Sequence, residues 1–495
     1  MNIIERIVRN TLIKIQKVIS VVAPGSTTDV TCVDKSTGTL KTATAAEVIN
    51  AGLRLNTAVL ETYTGTNYSP YGYVTAPSGR MVLSGIVTPV NTAGVTAYSY
   101  YQSGSGLVTL TQSNLIGVKA DYDPNTMASL TTLSAPALTY VGGSYGPNEM
   151  AALTTLSTPV LAYVGGNYWP SQVTSLTTLS APLLAYVGGS YSPGSYTTPA
   201  EAASGYMRVE GVGAITTIST PVLAHVGGSY TPNTMASLTT LSAPLLAYVG
   251  SYYQPSNMSA LTTLSAPLLA YVGGTCNPNN MASLTTLSTP LLAYVGGNYG
   301  PANMASLATL SAPLLAYVGD TYSPNGMAAL TTLSAPLLAY VGGYYPSTMA
   351  SLTTISLPAL TSVGVDVART VYTNGRIAPT AMAALTSFTM PVIEVIGSTS
   401  NASISFISGT AALTTFTLGN TLRLVNGNVI MTSCALNQAS VDDILVRLAA
   451  LDGTGLTTAY STKTVTITGT SSTPSATGLA AKAILVARGC TVTHL

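Results

Sequence analysis

The stretch MASLTTLSAPLLAYVG, residues 235–250, returns almost unchanged at Met258, Met281, Met304 and Met327. A period this regular constrains the fold more than any other feature of the chain. The first Leu of each L-x-x-L pair marks it: Leu130, Leu153, Leu176, Leu238, Leu261, Leu284, Leu307, Leu330 and Leu352. The step is 23 residues and shortens to 22 at the last. A degenerate copy begins at Ile215, 39 residues after Leu176, so 16 extra residues are inserted near 194–211. Weaker copies at Leu385 and Leu413 bring the total to about twelve between residues 127 and 430. A unit this short cannot bury its own apolar side, but stacked copies bury a continuous core, so the chain is expected to form a solenoid.

One copy, Met281 to Asn303, shows how a coil is built. Leu284, Leu287, Leu292 and Val295 are apolar in every full copy. Thr286 and Ser288 flank Leu287 with period-2 alternation, which predicts a short strand with one buried face. Pro290 cannot donate to a ladder and ends that strand. Gly296 and Gly297 are read as a sharp turn. The remainder is predicted to be an irregular or 3₁₀ return.

The repeat also explains the composition. Charged residues make up 7% of the chain, against about 25% in an average soluble domain. In a stack, each side chain lies about 4.8 Å from its copy in the next coil. A charge at a repeated position would therefore build a destabilising ladder of like charges. From residue 124 to 365 the only charges are Glu149, Glu201, Arg208, Glu210 and Asp320, and three of these lie in the insertion. Hydrophobic content is 47% and mean hydropathy +0.41. A spanning helix would need about 20 consecutive apolar residues, and Thr, Ser, Gly, Asn and Pro interrupt every apolar run, so no membrane span is expected. The net charge of +1 offers no footprint for nucleic acid.

The pattern L-x-x-L-x-A-P-x-L-x-x-V-G-G-x-Y resembles the BspA-like leucine-rich repeat, with Leu284, Leu287, Pro290, Leu292, Val295, Gly296 and Tyr299 in the matching places. The resemblance covers about 300 residues. It implies a β-rich solenoid with parallel sheets and a buried aromatic in the return segment. Ala or Thr precedes Pro where that family usually has Ile, which should thin the core there. The segment 431–495 is similar to terminal segments found after repeats in phage and bacteroidete surface proteins. Its own pattern predicts an α/β cap: a helix within LNQASVDDILVRLAALDGTG (436–455), capped by Ser440 with Asp442 and Asp443 in its first turn, the strand KTVTITGT, a second helix and a last strand. An open solenoid end would be a sticky sheet edge.

The first 126 residues differ from the rest, holding 9 of the 17 basic and 7 of the 16 acidic residues. Ile4, Ile7, Val8, Leu12, Ile15 and Val18 suggest an amphipathic helix over residues 1–20. Residues 21–126 read as a small β-rich domain that attaches the solenoid to something else.

Little in the chain suggests catalysis. His225 takes the place of a repeat Tyr and is read as a ladder substitution. His494 is next to last. Acids in the repeats are too sparse for a glycosidase pair. Asp121 and Asp123 are read as loop residues at the entry to the first coil, in preference to a cation site. The V-G-G pairs lack the Lys of a phosphate loop. No cofactor or metal is expected. Cys32, Cys276, Cys434 and Cys490 match no zinc or redox motif, Cys276 is read as a buried stand-in for Tyr, and whether Cys434 and Cys490 pair is left open.

Two tyrosine rows carry more weight. Tyr140, Tyr163, Tyr186, Tyr248, Tyr271, Tyr294, Tyr317 and Tyr340, with His225 among them, precede the buried Val and are expected at the surface, as a platform for a sugar or a partner or else as a stabilising stack. The second row, Tyr145, Tyr168, Tyr191, Tyr230, Tyr253, Cys276, Tyr299, Tyr322 and Tyr345, is expected to be buried. The Thr and Ser rows should face outward. Such arrays occur on ice-binding solenoids, but a solubilising face that avoids charge ladders is the preferred reading.

These features lead to the expectation of a non-enzymatic virion structural protein: a phage tail fibre, spike or other surface appendage. It would dock on other virion proteins through residues 1–126, sit in the particle as a homo-oligomer, and contact a host-surface glycan or protein through the solenoid. The N-terminal sequence MNIIERIVRN shows no secretory signal, which is why release by lysis is expected over export. A bacterial cell-surface leucine-rich-repeat adhesin is the alternative.

Overall fold

The computed structural model describes residues 106–113, 115–190, 215–365, 375–397, 403–406 and 409–494, with the backbone of seven strands between residues 29 and 103. The helix expected over residues 1–20 and the insertion near 194–211 lie outside the described residues. The described residues form a parallel β-solenoid of about 15 turns with a repeat near 23 residues. It divides into two compact units, residues 1–270 and 271–495.

Each regular coil carries three ladders. In the first unit, the Thr-Leu-Ser strands Thr132–Ser134, Thr155–Ser157 and Thr178–Ser180 pair in parallel. Their register has no offset, so Thr155 faces Thr178, Leu156 faces Leu179 and Ser157 faces Ser180. The second ladder joins Tyr140–Val141, Tyr163–Val164 and Tyr186–Val187. A third consists of single bridges, Tyr122 to Tyr145 to Tyr168 and Asn125 to Asn148 to Ser171. The second unit repeats the pattern, with Thr309–Ser311 on Thr332–Ser334 and Tyr294–Val295 on Tyr317–Tyr322. The return predicted as irregular or 3₁₀ is therefore two further ladders. They escape a reading of alternation because each strand is only two residues or a single bridge long.

Identical register puts identical side chains in columns. Met281, Leu284, Leu292 and Val295 are fully buried, and Leu287 nearly so. Burying each such side chain stabilises the coil by about 1.5–3 kcal/mol. The position before Pro is also buried, as Ala312 or Thr289, so the smaller residue there still points inward.

The chain bends at Gly296 and Gly297 as expected, and the glycines also act by proximity. Gly296 and Gly297 have no positive φ, but a Cβ on Gly296 would lie 2.0 Å from the Gly273 carbonyl oxygen of the preceding coil. The left-handed residue is elsewhere, at the position before the buried Met, or before Val173 where Val takes its place. Thr126, Glu149, Gln172, Thr234, Asn257, Asn280, Asn303 and Thr348 all occupy it with φ between 51° and 56°.

A rung of side chains, not anticipated from the sequence, links the coils just after the second glycine. Asp121 Oδ1 accepts the Ser144 N–H at 2.8 Å, Ser144 Oγ the Asn167 N–H at 3.2 Å, and Asn167 Oδ1 the Ser190 N–H at 2.7 Å. Asp121 is thus the first member of this rung. The 16-residue insertion does not disturb the stack, because Tyr186 pairs with His225 and Ser190 Oγ accepts the Ser229 N–H at 3.0 Å.

The parallel pairing runs through residue 127 toward the N-terminus. Thr109–Thr111 pairs with Thr132–Ser134, and Ser99–Ser103 pairs with Tyr122–Pro124. At the other end, helix α1 (Gln438–Ala449) follows strand Val429–Cys434, and helix α2 (Ala476–Ala487) follows strand Thr464–Gly469. These strands and Thr491–His494 continue the parallel ladder, with His494 opposite Ile467. The N-cap of α1 is Asn437, whose Oδ1 accepts the Ser440 N–H at 2.9 Å, and the first turn has no acid. Ser440 and Asp443 serve the sheet edge instead. Ser440 Oγ accepts the Phe416 N–H at 3.0 Å and Asp443 Oδ2 the Leu418 N–H at 2.9 Å. Thr415–Leu418 is the last strand of its three-stranded sheet, so α1 satisfies the edge donors that a further strand would otherwise take.

Candidate functional site

The tyrosine row expected at the surface lies on the second ladder, half-buried. Tyr140, Tyr163, Tyr186 and Tyr248 are half-buried in the first unit, as are Tyr271, Tyr294 and Tyr317 in the second. Tyr340 departs from the expectation furthest, being only 6% exposed. The step to the next coil is shorter there, and the strand Tyr340–Tyr344 is buried throughout.

The rings stack on one another. Tyr163 and Tyr186 have centroids 5.0 Å apart and planes 4° from parallel. His225 continues the stack at 4.9 Å from Tyr186 and 4.5 Å from Tyr248, as a ladder substitution should. Tyr271, Tyr294 and Tyr317 follow at 4.9 Å intervals with planes 2° apart. This geometry bears on the sugar platform directly. A sugar stacks on a ring face, and the faces inside this row are covered by neighbouring rings, so the row presents only ring edges outward. Burial pushes the phenols of Tyr140, Tyr163, Tyr186 and Tyr248 above their ordinary pKa.

The second row is the buried one. Tyr122, Tyr145, Tyr168, Tyr230, Tyr253, Tyr299 and Tyr322 are all at most 1% exposed. Cys276 sits at 1% in the same column, which upholds its reading as a stand-in, and burial raises its thiol. Tyr344, not Tyr345, takes the column after Tyr322. Tyr191 lies outside the described residues. At the N-terminal end Tyr122 donates its hydroxyl to Gln112 Oε1 at 2.6 Å inside the core.

Among the described residues no group of three His, Cys, Asp or Glu side chains could hold a metal ion. No helix among them is long and apolar enough to cross a membrane. Cys434 and Cys490 are free and buried apart, the first beside Thr410 Oγ1 and the second beside the Tyr460 carbonyl. Burial pushes the Cys434 thiol up to about 11.

The outward Thr rows divide in two, a distinction the sequence does not show. The first Thr of each Thr-Thr pair turns its hydroxyl onto the carbonyl of the preceding coil, as Thr154 does to Thr131 and Thr177 to Thr154, both at 3.0 Å. The second Thr faces solvent, as at Thr286 and Thr332, and so does Thr309, which follows Ala308.

Fold and surface together define a repeat protein of the parallel β-solenoid class. Comparison with protein-family models, with curated proteins and with solved structures returns no match. The coil chemistry must therefore carry the functional reading.

Proposed function

We propose that the chain is a non-enzymatic surface appendage of a virus particle, of the tail-fibre or spike kind, which docks through residues 1–126 and meets a host surface with its coils. The observation that carries this reading is how the polar and aromatic side chains are used. Asp121, Asn167 and Ser190 hold neighbouring coils together, and the tyrosines stack in rows. That is the economy of a shaft, in which every coil is braced to the next and the same outer surface recurs at each step. The resemblance to BspA-like repeats would equally suit a cell-surface adhesin.

Location separates the two. Mass spectrometry of purified virus particles should find the chain at a fixed copy number, and crosslinking of intact particles should link residues 1–126 to other virion proteins. Recovery from host envelopes alone would replace the appendage with the adhesin.

A further inference from the structure

One strip of the second unit combines two chemistries that the stack itself does not need at its surface. Thr286, Thr309 and Thr332 point outward and are exposed, with Ser288, Ser311 and Ser334 half-buried beside them. Two residues on, Pro290, Pro313 and Pro336 form the corner, followed by Leu291, Leu314 and Leu337, which are 39%, 41% and 41% exposed. The result is rows of hydroxyls beside a ridge of leucines, repeating once per coil.

The fold does not require the ridge. The equivalent place in an early copy is Ala137, and after the last regular copy it is Ala359. Leucine thus recurs at the surface at a place where alanine also closes the coil. The strip also carries no charge. Asp320 is the only Asp, Glu, Lys or Arg between residues 281 and 349, and it belongs to strand Tyr317–Tyr322 on the next ladder.

We propose that the Thr–Ser–Pro–Leu strip over residues 286–337 binds a neutral polysaccharide lying along the coil stack. A sugar ring has apolar C–H faces and a hydroxyl rim, which match the leucine ridge and the Thr and Ser rows in turn. A polymer with a repeating unit can use every coil alike. An anionic polymer would find no cation here to offset its desolvation. A folded protein partner needs about 800 Å² on each side, far more than three partly exposed leucines offer. The strip is also separate from the stacked tyrosines, whose ring faces are already covered. This inference deepens the appendage reading by naming what the coils would contact.

The test is affinity electrophoresis of the full chain through gels containing dextran, laminarin or galactomannan, with hyaluronate as the anionic control. Retardation by at least one neutral polymer is expected, unchanged between about 50 and 500 mM salt because no ion pair contributes. The combined Leu291→Ser, Leu314→Ser and Leu337→Ser variant should lose about tenfold in affinity while keeping its far-ultraviolet dichroism. Thr309→Val alone should lose less. Retardation by none of the neutral polymers, or by hyaluronate alone, overturns the proposal. So does concentration-dependent self-association of the unmodified chain that the triple variant abolishes without any polymer binding, which would assign the ridge to a second copy. A chain found in virus particles that binds no polymer loses only this inference. One that binds polymer but is absent from particles loses only the appendage reading.

Discussion

Within the second unit, the regular coils from Met281 to Met349 and the terminal coils from Val429 to His494 build the same parallel ladder but differ in their use of charge. The regular coils stack like on like, with Leu310 beside Leu333, Ser311 beside Ser334 and Tyr294 beside Tyr317. The terminal coils also keep like pairs inside the ladder, Thr464 beside Thr491 and Val465 beside Val492, but they carry charged side chains around it, each used once. Asp443 serves the Leu418 N–H and pairs with Arg447 at 3.1 Å, and Asp442 Oδ1 accepts the Ser475 N–H at 2.9 Å. Earlier, among the less regular coils, Arg423 pairs with Glu394. A repeated position meets its own copy, so it admits hydroxyls, amides and aromatic rings but not a charge. A unique position can admit a charge because its neighbour can be the opposite one.

The comparison breaks most visibly at the closest approach between coils. Gly296→Ala forces a Cβ against the Gly273 carbonyl and should cost about 1–3 kcal/mol, read as a lowered midpoint of denaturation by urea. Alanine at Gly455, where nothing lies within 4 Å but φ is +59°, should lose less and only through backbone strain. Next in size is the edge contact of α1. Asp443→Ala leaves the part-buried Leu418 N–H without its acceptor and should cost about 1–3 kcal/mol, with loss of protection of that amide in hydrogen exchange.

Charge can be made to obey the rule at repeated positions. Thr286→Glu with Thr309→Glu places like charges side by side, whereas Thr286→Glu with Thr309→Lys places opposite ones. The double-mutant coupling should differ in sign between the pairs by about 0.2–1 kcal/mol each, and should shrink as salt is raised. An effect of similar size is a gain. Thr348 is β-branched at φ 54°, a position that Gly326 fills in the preceding coil with φ 67°. Thr348→Gly should stabilise by about 0.5–1 kcal/mol in the same assay.

Alkali acts on the tyrosine rows as a set. The phenols of Tyr140, Tyr163 and Tyr186 are raised by burial, so the folded chain holds protons that the unfolded chain releases. The stability they contribute is complete below about pH 10, the unfolded phenol pKa, and is lost as pH rises from there toward the folded values. Substituting Phe for Tyr140, Tyr163 and Tyr186 together should therefore remove phenolate absorbance near 295 nm that develops above pH 10, and loss of absorbance only below pH 10 would contradict the burial.

Much of this architecture was legible in the chain. The 23-residue step fixes identical register, and the alternation around Leu287 marks the first ladder. The Cys at position 276 already pointed to a buried column, because a thiol can replace a ring only where no ring edge is needed outside. The other ladders were not legible, since a strand of two residues has no period to detect. The exchange of Tyr345 for Tyr344 was hidden for a similar reason. The copy is one residue shorter, and the register shift between Val318 and Thr321 decides which of two adjacent tyrosines turns inward. Ser440 has the right chemistry for a helix cap, but one turn of helix more or less decides whether it caps α1 or satisfies Phe416.

The sequence by itself determined that coils stack, that each residue meets its own copy and that charge is kept off the repeated positions, because these follow from period and composition alone. The tertiary structure decided how near the coils come and which faces remain for a ligand. Gly296 reads only as a turn until the Gly273 carbonyl is seen against it as well. The tyrosines read as either a platform or a stack until their rings are seen face to face, about 5 Å apart, leaving the Thr and Leu rows as the surface that repeats outward. Distance between neighbours is not written in a period. It is set when the side chains of one coil come to rest on those of the next.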